Sequence, residues 1–202
     1  MDSLRARLEA LYRDADGPPL RVTDAGLWHP TPLDVLAAAV PVLERAGLFF
    51  PGATVFDAGA GDGRVLAALA LGLSAWPGVR LAGLESDADL ADEAARRLGA
   101  LAPRPLVAAG DYLRADDYLR VSVAPAELDV ALNYPDGNER ALLRWLREQA
   151  PRCALVVLSA ETDPDLGAPP RLRLEVPRAD APPWHVSVYA PEGEAPARPA
   201  PG

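Results

Sequence analysis

The sequence contains no lysine; all 20 basic residues in its 202 are arginine. That removes any mechanism built on a lysine Schiff base and any phosphate-binding loop that depends on a lysine. The single cysteine, Cys153, excludes an internal disulfide and a zinc site made of cysteines. Two histidines are present, but no spacing gathers them with acids into a metal site. Long apolar runs are missing as well. Stretches such as Val65–Leu71 fall far short of the roughly 18 residues a membrane span requires. Positive charge is in deficit: 29 acids against 20 bases leave a net charge of −9. An acidic chain repels phosphate backbones, so nucleic acid is disfavoured as a partner. Asp2, Glu9, Asp14 and Asp16 near the start fit neither a secretory signal nor an acid-poor transit peptide, and the expectation is a cytoplasmic protein. The length suits one globular domain with short appendages.

What is present is a regular alternation of strand and helix signals. Leu4, Leu8 and Leu11 recur at helical spacing, which predicts a short amphipathic helix over 3–13, stopped by Asp16-Gly17-Pro18-Pro19. Residues 20–31 read as irregular. Thr31-Pro32 reads as an N-cap and first helical residue of a helix running to Ala46 and ending at Gly47, with Pro41 inside it as a kink. Short strands follow over 54–57, 79–84, 106–108, 129–133 and 153–159, separated by helices over 64–71, 87–98 and 138–150. Such alternation predicts a parallel sheet wrapped by helices. Arg171–Val176 and Trp184–Tyr189 alternate strictly, with only a proline-rich link between them, so they predict an antiparallel pair at the sheet edge. The division expected is a lead-in segment over 1–31, an α/β domain over 32–190 and a disordered Pro/Ala-rich tail over 191–202.

The strongest chemical signal is the turn after the first of the parallel strands, Val55-Phe-Asp-Ala-Gly-Ala-Gly-Asp-Gly-Arg64. Glycines let backbone approach a ligand closely, and the helix that follows offers free N–H groups. The spacing is G-x-G-x-G with arginine after the third glycine. A dinucleotide fold instead wants G-x-G-x-x-G, so NAD is disfavoured. This form resembles motif I of the class I methyltransferases that use S-adenosyl-L-methionine (SAM). The resemblance implies a Rossmann-like methyltransferase sheet, five parallel strands plus the antiparallel edge pair, flanked by helices. It implies SAM as cofactor, held by Asp57, Gly59, Gly61 and Gly63. It also gives Glu85, at the end of the next strand in Gly-Leu-Glu-Ser-Asp, the ribose hydroxyls to accept from. Asp87 reads as the cap of the following helix. Asp111, in Ala-Gly-Asp-Tyr, matches the acid that accepts from the adenine amino group; a turn aspartate is the competing reading. Tyr112 is placed to flank the adenine or simply to pack.

Leu132-Asn-Tyr-Pro-Asp-Gly-Asn-Glu-Arg140 follows the fourth parallel strand. Asn133-Tyr134-Pro135 is loosely similar to the Asn/Asp-Pro-Pro-Tyr loop of amino-group methyltransferases, which makes Asn133 and Tyr134 the candidate catalytic residues. A plain Pro-Asp-Gly turn leading to a helix capped by Asn138 explains residues 135–138 equally. Trp28-His-Pro-Thr-Pro, Asn138-Glu-Arg and Trp184-His-Val-Ser-Val-Tyr together resemble bacterial relatives of the mitochondrial protein-lysine methyltransferases. The acceptor this implies is an amino nitrogen, with a small metabolite or a non-catalytic SAM-binding role as alternatives. Trp28 and Tyr134 are candidates for an apolar wall around the acceptor; His29 reads first as a surface histidine before a proline turn, with the methionine end of the cofactor as the alternative. Asp116-Asp117 reads as a solvated face, and His185, Ser187 and Tyr189 as edge-strand alternation. No oligomeric state follows from the sequence.

Overall fold

The computed structural model describes residues 3–14, 21–23, 26–160, 166–179 and 181–190. The Asp16–Pro19 turn and the tail expected over 191–202 lie outside the described residues. Helix α1 (Leu4–Leu11) packs on the sheet's helical cover through Leu8, which is fully buried, and Ser3 caps it by accepting from the Ala6 amide. The stretch expected to be irregular instead forms a hairpin of β1 (Arg21–Thr23) and β2 (Gly26–Trp28), with Arg21 opposite Trp28. Three-residue strands are too short to show a period in sequence. Within the hairpin the Arg21 guanidinium lies 5.5 Å over the Trp28 ring, and from outside Glu93 on the helix after β4 pairs with Arg21 at 3.4 Å.

Helix α2 (Leu33–Arg45) runs through Pro41 without a break. It begins one residue later than expected. Pro32 is its N-cap and no side chain caps it, so Thr31 is not the cap; Thr31 is itself buried. Gly47 at φ +76° ends the helix. Next come β3 (Thr54–Ala58), α3 (Arg64–Gly72), β4 (Arg80–Glu85), α4 (Ala88–Leu98) and β5 (Leu106–Ala109). After two 3₁₀ helices (Ala115–Val121 and Pro125–Glu127) follow β6 (Val130–Asn133), α5 (Glu139–Gln149), β7 (Ala154–Ser159), β8 (Leu172–Val176) and β9 (Trp184–Tyr189). As expected, Asp87 caps α4, accepting from the Leu90 amide at 3.0 Å. Asn138 does not cap α5 through its side chain. The turn before α5 is organised by Asp136 and Glu139, which accept from the amides of Asn138 and Gly137.

The seven main strands lie in the order β5-β4-β3-β6-β7-β9-β8. β3 to β7 are mutually parallel, and β9 runs antiparallel to both β7 and β8. The expected antiparallel pair is therefore present, but β9 is interior and β8 is the edge. Ser187 and Tyr189 are accordingly buried rather than set on an edge strand. An ion pair between Arg178 and Asp34 at 3.0 Å ties the segment after β8 to α2. One apolar layer, with Val55, Leu66, Val130 and Val186, lies under α1, α2 and α3. The other face holds Phe56, Leu84, Leu128 and Leu142. There Tyr118 stacks between Phe56, 4.6 Å away, and Trp145, 5.1 Å away. Among the described residues, no helix is long and apolar enough to cross a membrane.

Candidate functional site

The chain leaves β3 outward to β4 and β5, then crosses back to lay β6 on the other side of β3. Such a reversal opens a crevice at the carboxyl ends of the strands. Here it has a volume of about 450 Å³ and is bounded by the turn after β3, the ends of β4 and β5, and the loop after β6.

The glycine turn is its floor, and its three glycines serve different purposes. All have positive φ: Gly59 +82°, Gly61 +53° and Gly63 +84°. A Cβ on Gly59 would come to 4.0 Å of Asp136 Oδ2 and Tyr112 Cε1, ordinary van der Waals contact with the facing loops. A Cβ on Gly61 would collide with the Trp28 indole nitrogen. One on Gly63 would come within 2.9 Å of Leu98 Cδ1 and 3.1 Å of Ala94 on α4. Gly59 lines the crevice beneath Tyr112 and Asp136, Gly61 admits the hairpin, and Gly63 lets α3 and α4 close on each other.

Glu85, the last residue of β4, is 7% exposed and turned toward the glycine turn. Its Oε2 accepts from the Gly61 amide at 2.7 Å. Its Oε1 accepts from the Ser86 hydroxyl and the Asp87 amide. Asp57 is 2% exposed at the end of β3, and its Oδ2 has no hydrogen-bond partner. Burial, reinforced by Glu85 and Asp62, holds its carboxyl well above the usual range. Asp111 lies on the crevice wall and is at the same time a turn aspartate, its Oδ1 accepting from the Leu113 amide at 2.8 Å. Its own amide donates to Asp117 Oδ2 at 2.9 Å. Asp117 is thus a buried support of the Asp111 loop and not a solvated face: the 3₁₀ turn folds its side chain back under Gly110.

The loop after β6 separates the two candidate catalytic residues. Tyr134 lines the crevice and faces His29, with ring centroids 6.4 Å apart, and Trp184 at 5.8 Å. Asn133 is 2% exposed, and its Nδ2 donates back to the Ala58 carbonyl at 3.0 Å. It borders a small apolar pocket under α2 rather than the crevice itself. Trp28 and His29 line the crevice beside Tyr134.

Two contributors escaped the sequence. Asp136 accepts from the Tyr112 hydroxyl, joining the loops after β6 and β5 across the crevice. Tyr12 donates to the Asp62 carbonyl at 3.2 Å, with Arg97 and Arg64 lying 4.4 and 5.2 Å from its ring. Their signals are single residues in a turn and at a helix end, which no local pattern distinguishes. Asp57, Asp62, Glu85, Asp111 and Asp136 all border the crevice. Arg64, also on its wall, pairs with Asp62 at 2.8 Å. Acidic side chains thus outnumber basic ones among the described residues of the crevice wall. Among the described residues no group of three His, Cys, Asp or Glu could hold a metal ion.

No protein-family model and no curated protein matches the chain. Solved structures do. Cofactor-bound Rv0187 from MTB aligns at TM-score 0.61 and 20% identity, over 96% of this chain and 92% of that one. The rRNA methyltransferase aviRa from Streptomyces viridochromogenes aligns at 0.60 and 14%, over 81% and 86%. The precorrin-6y C5,15-methyltransferase from Geobacter metallireducens gives 0.56 and 13%, over 81% and 90%. SMU.472, solved with SAH bound, gives 0.53 and 12% over 79% of this chain, which spans about half (53%) of that one. At these identities the likeness is one of fold: the Rossmann-like methyltransferase sheet.

Proposed function

We propose that the chain is a SAM-dependent methyltransferase acting on an amino nitrogen, a protein lysine or a similar amine. The observation that carries this reading is the joining of the glycine turn to Glu85 at the reversal point of the sheet, with a carboxylate-lined crevice beside Gly59. The residues fit a cationic adenosyl compound. Gly59 lines the opening, a buried Asp57 oxygen lacks a partner, and Arg64, the only arginine among the described residues of the crevice wall, is engaged by Asp62.

On this reading Glu85 would hold the ribose hydroxyls and Asp111 the adenine amino group, with Gly59, Gly61 and Gly63 supplying close backbone and Asp57 facing the ammonium end. SAM, when bound, supplies an activated sulfonium methyl. The remaining work of the chain is alignment, which in favourable model systems is worth about 7–11 kcal/mol of a barrier. Tyr134, His29 and Trp28 form the aromatic side of the crevice and would exclude water around the acceptor, favouring a neutral, nucleophilic amine. Tyr134 touches the acceptor in this scheme. Asn133, facing the sheet, positions the loop that carries Tyr134. The carboxylate lining favours a cationic or amine acceptor over a nucleic acid.

Calorimetric titration with SAM, with its demethylated product and with NAD tests the cofactor. Binding of the first two at nanomolar to micromolar affinity, and not of NAD, is expected. Methyl-labelled SAM incubated with a lysate's proteins and, separately, its metabolite pool then tests the acceptor. Label confined to the metabolites would replace the protein amine with a small molecule. Binding without transfer to either would leave a SAM-binding module.

A further inference from the structure

The loops after β5 and β6 meet over the glycine turn. Tyr112 of the first donates its hydroxyl to Asp136 Oδ2 of the second, and both residues border the crevice. A Cβ placed on Gly59 would stand 4.0 Å from that same carboxylate oxygen and 4.0 Å from Tyr112 Cε1. The bridge therefore crosses above the first glycine of the turn. Allowing about 1.5 Å for the C–C bond, the Gly59 Cα lies no more than about 5.5 Å from either atom. A ligand atom laid between them would need about 7–8 Å, since each non-bonded contact takes roughly 3.5–4.0 Å. While the bridge is made, no ligand atom fits between it and Gly59.

The two ends of the bridge are held differently. Tyr112 is 8% exposed, and its carbonyl accepts from the hydroxyl of the fully buried Tyr118 at 2.8 Å. The preceding residue is pinned as well, the Asp111 amide donating to Asp117 Oδ2. Asp136 instead stands on an exposed turn, Asp136-Gly137-Asn138. Gly137 there has φ +89°, and a Cβ on it would meet no atom within 4 Å. The other carboxylate oxygen of Asp136 stays inside the turn, accepting from the Asn138 amide, and the Gly137 amide donates to Glu139 at the start of α5. The turn is the end that yields.

We propose that the Tyr112–Asp136 bridge is a latch on the ligand site: it shuts the crevice above Gly59 in the ligand-free protein, and a ligand reaches that face of the glycine turn by parting it. Naming the ligand as SAM rests on the reading of the crevice given above. Parting the latch breaks one bond from a phenol to a carboxylate, a bond of the stronger, charge-assisted kind. The open fraction is then small, and the apparent affinity of any ligand is reduced by that fraction.

Tyr112→Phe keeps the ring and removes the hydroxyl. Surface plasmon resonance of SAM over the immobilised wild type and variant reads association and dissociation separately. An association rate raised about tenfold in the variant is expected, with the dissociation rate unchanged. Faster dissociation at an unchanged association rate would overturn the latch, because the bridge would then be closing over a ligand already bound. Unchanged rates would overturn it too, leaving the bond a structural one and the SAM site standing. Binding to neither protein would overturn the crevice reading, and the latch with it. Proton NMR of the wild type reads the bridge without any variant. A slowly exchanging Tyr112 hydroxyl resonance, assigned through its ring protons, should be present in the ligand-free protein and lost at saturating SAM. Its persistence in the complex would refute the proposal.

Discussion

The hydroxyl of Tyr12, just past the end of α1, donates to the carbonyl oxygen of Asp62 in the glycine turn, 3.2 Å away and 50 positions along the chain. The N-terminal helix is thereby fastened to the crevice floor. Arg97 and Arg64 hold the ring from both neighbouring helices at 4.4 and 5.2 Å. Burial pushes the Tyr12 hydroxyl far above its ordinary value, so it remains a donor at every physiological pH.

Tyr12→Phe should remove that bond and leave the packing. The loss expected is about 1 kcal/mol, or roughly 2–4 °C in Tm for a chain of this size. Scanning calorimetry of both proteins checks it, and an unchanged Tm would mean that the hydroxyl is equally well solvated when free.

Gly61→Arg should abolish cofactor binding. Its φ of +53° strains any other residue, and even a Cβ would strike the Trp28 indole. An affinity loss beyond about 100-fold, roughly 2.7 kcal/mol, is expected in the SAM titration. Circular dichroism should still report the fold.

Glu85→Gln keeps the side chain's size and removes its charge. Exchanging charge-assisted bonds for neutral ones should weaken SAM binding roughly 10- to 100-fold. Retained wild-type affinity would take the ribose role away from Glu85.

Stability of the ligand-free protein should fall as pH rises through the range where Asp57 and Asp62 ionise. Both carboxyls are held above their ordinary values in the fold, chiefly by burial, so the folded state binds more protons than the unfolded chain. The slope of unfolding free energy against pH is then negative. Their contribution is complete below the ordinary carboxylate value of about 4 and is lost as pH climbs past the folded values. Urea midpoints measured at a series of pH values should show the decline, and Asp57→Asn should flatten it.

Tyr118→Ala should be among the most damaging core substitutions. It empties a fully buried site between Phe56 and Trp145, an expected cost of about 3–5 kcal/mol. Its neighbour Leu119 is 75% exposed, and Leu119→Ala should stay within about 0.5 kcal/mol. Urea denaturation of the two variants side by side measures the contrast.

Much of this architecture is readable in short windows of sequence. Leu4, Leu8 and Leu11 mark one helix face, and Asp87 stands one residue before α4 and caps it. Three glycines between a buried strand and a helix announce a tight turn, whose positive φ values follow. These features are local: each depends on hydrogen bonds or periodicities spanning a few residues, which the chain carries with it wherever it goes. The alternation of strand and helix then limits the connections to parallel crossovers, and the short proline-rich link between the last two strands makes them antiparallel partners.

Assembly decided the rest. Asn138 has the right chemistry and position for a cap, yet Asp136 and Glu139 organise that turn instead. Asn133 reads as a crevice residue, but the register of β6 on β3 puts the Ala58 carbonyl within its reach and turns it inward. Asp117 reads as surface until the 3₁₀ turn brings it under the Asp111 amide. Glu85 reaches Gly61 across 24 positions, and Tyr112 reaches Asp136 across the same interval. A side chain's partner at such separations depends on which strand ends are laid side by side. The physical reason is that a buried polar group takes whichever donor or acceptor the packed sheet brings near, and that neighbourhood exists only once the chain has closed.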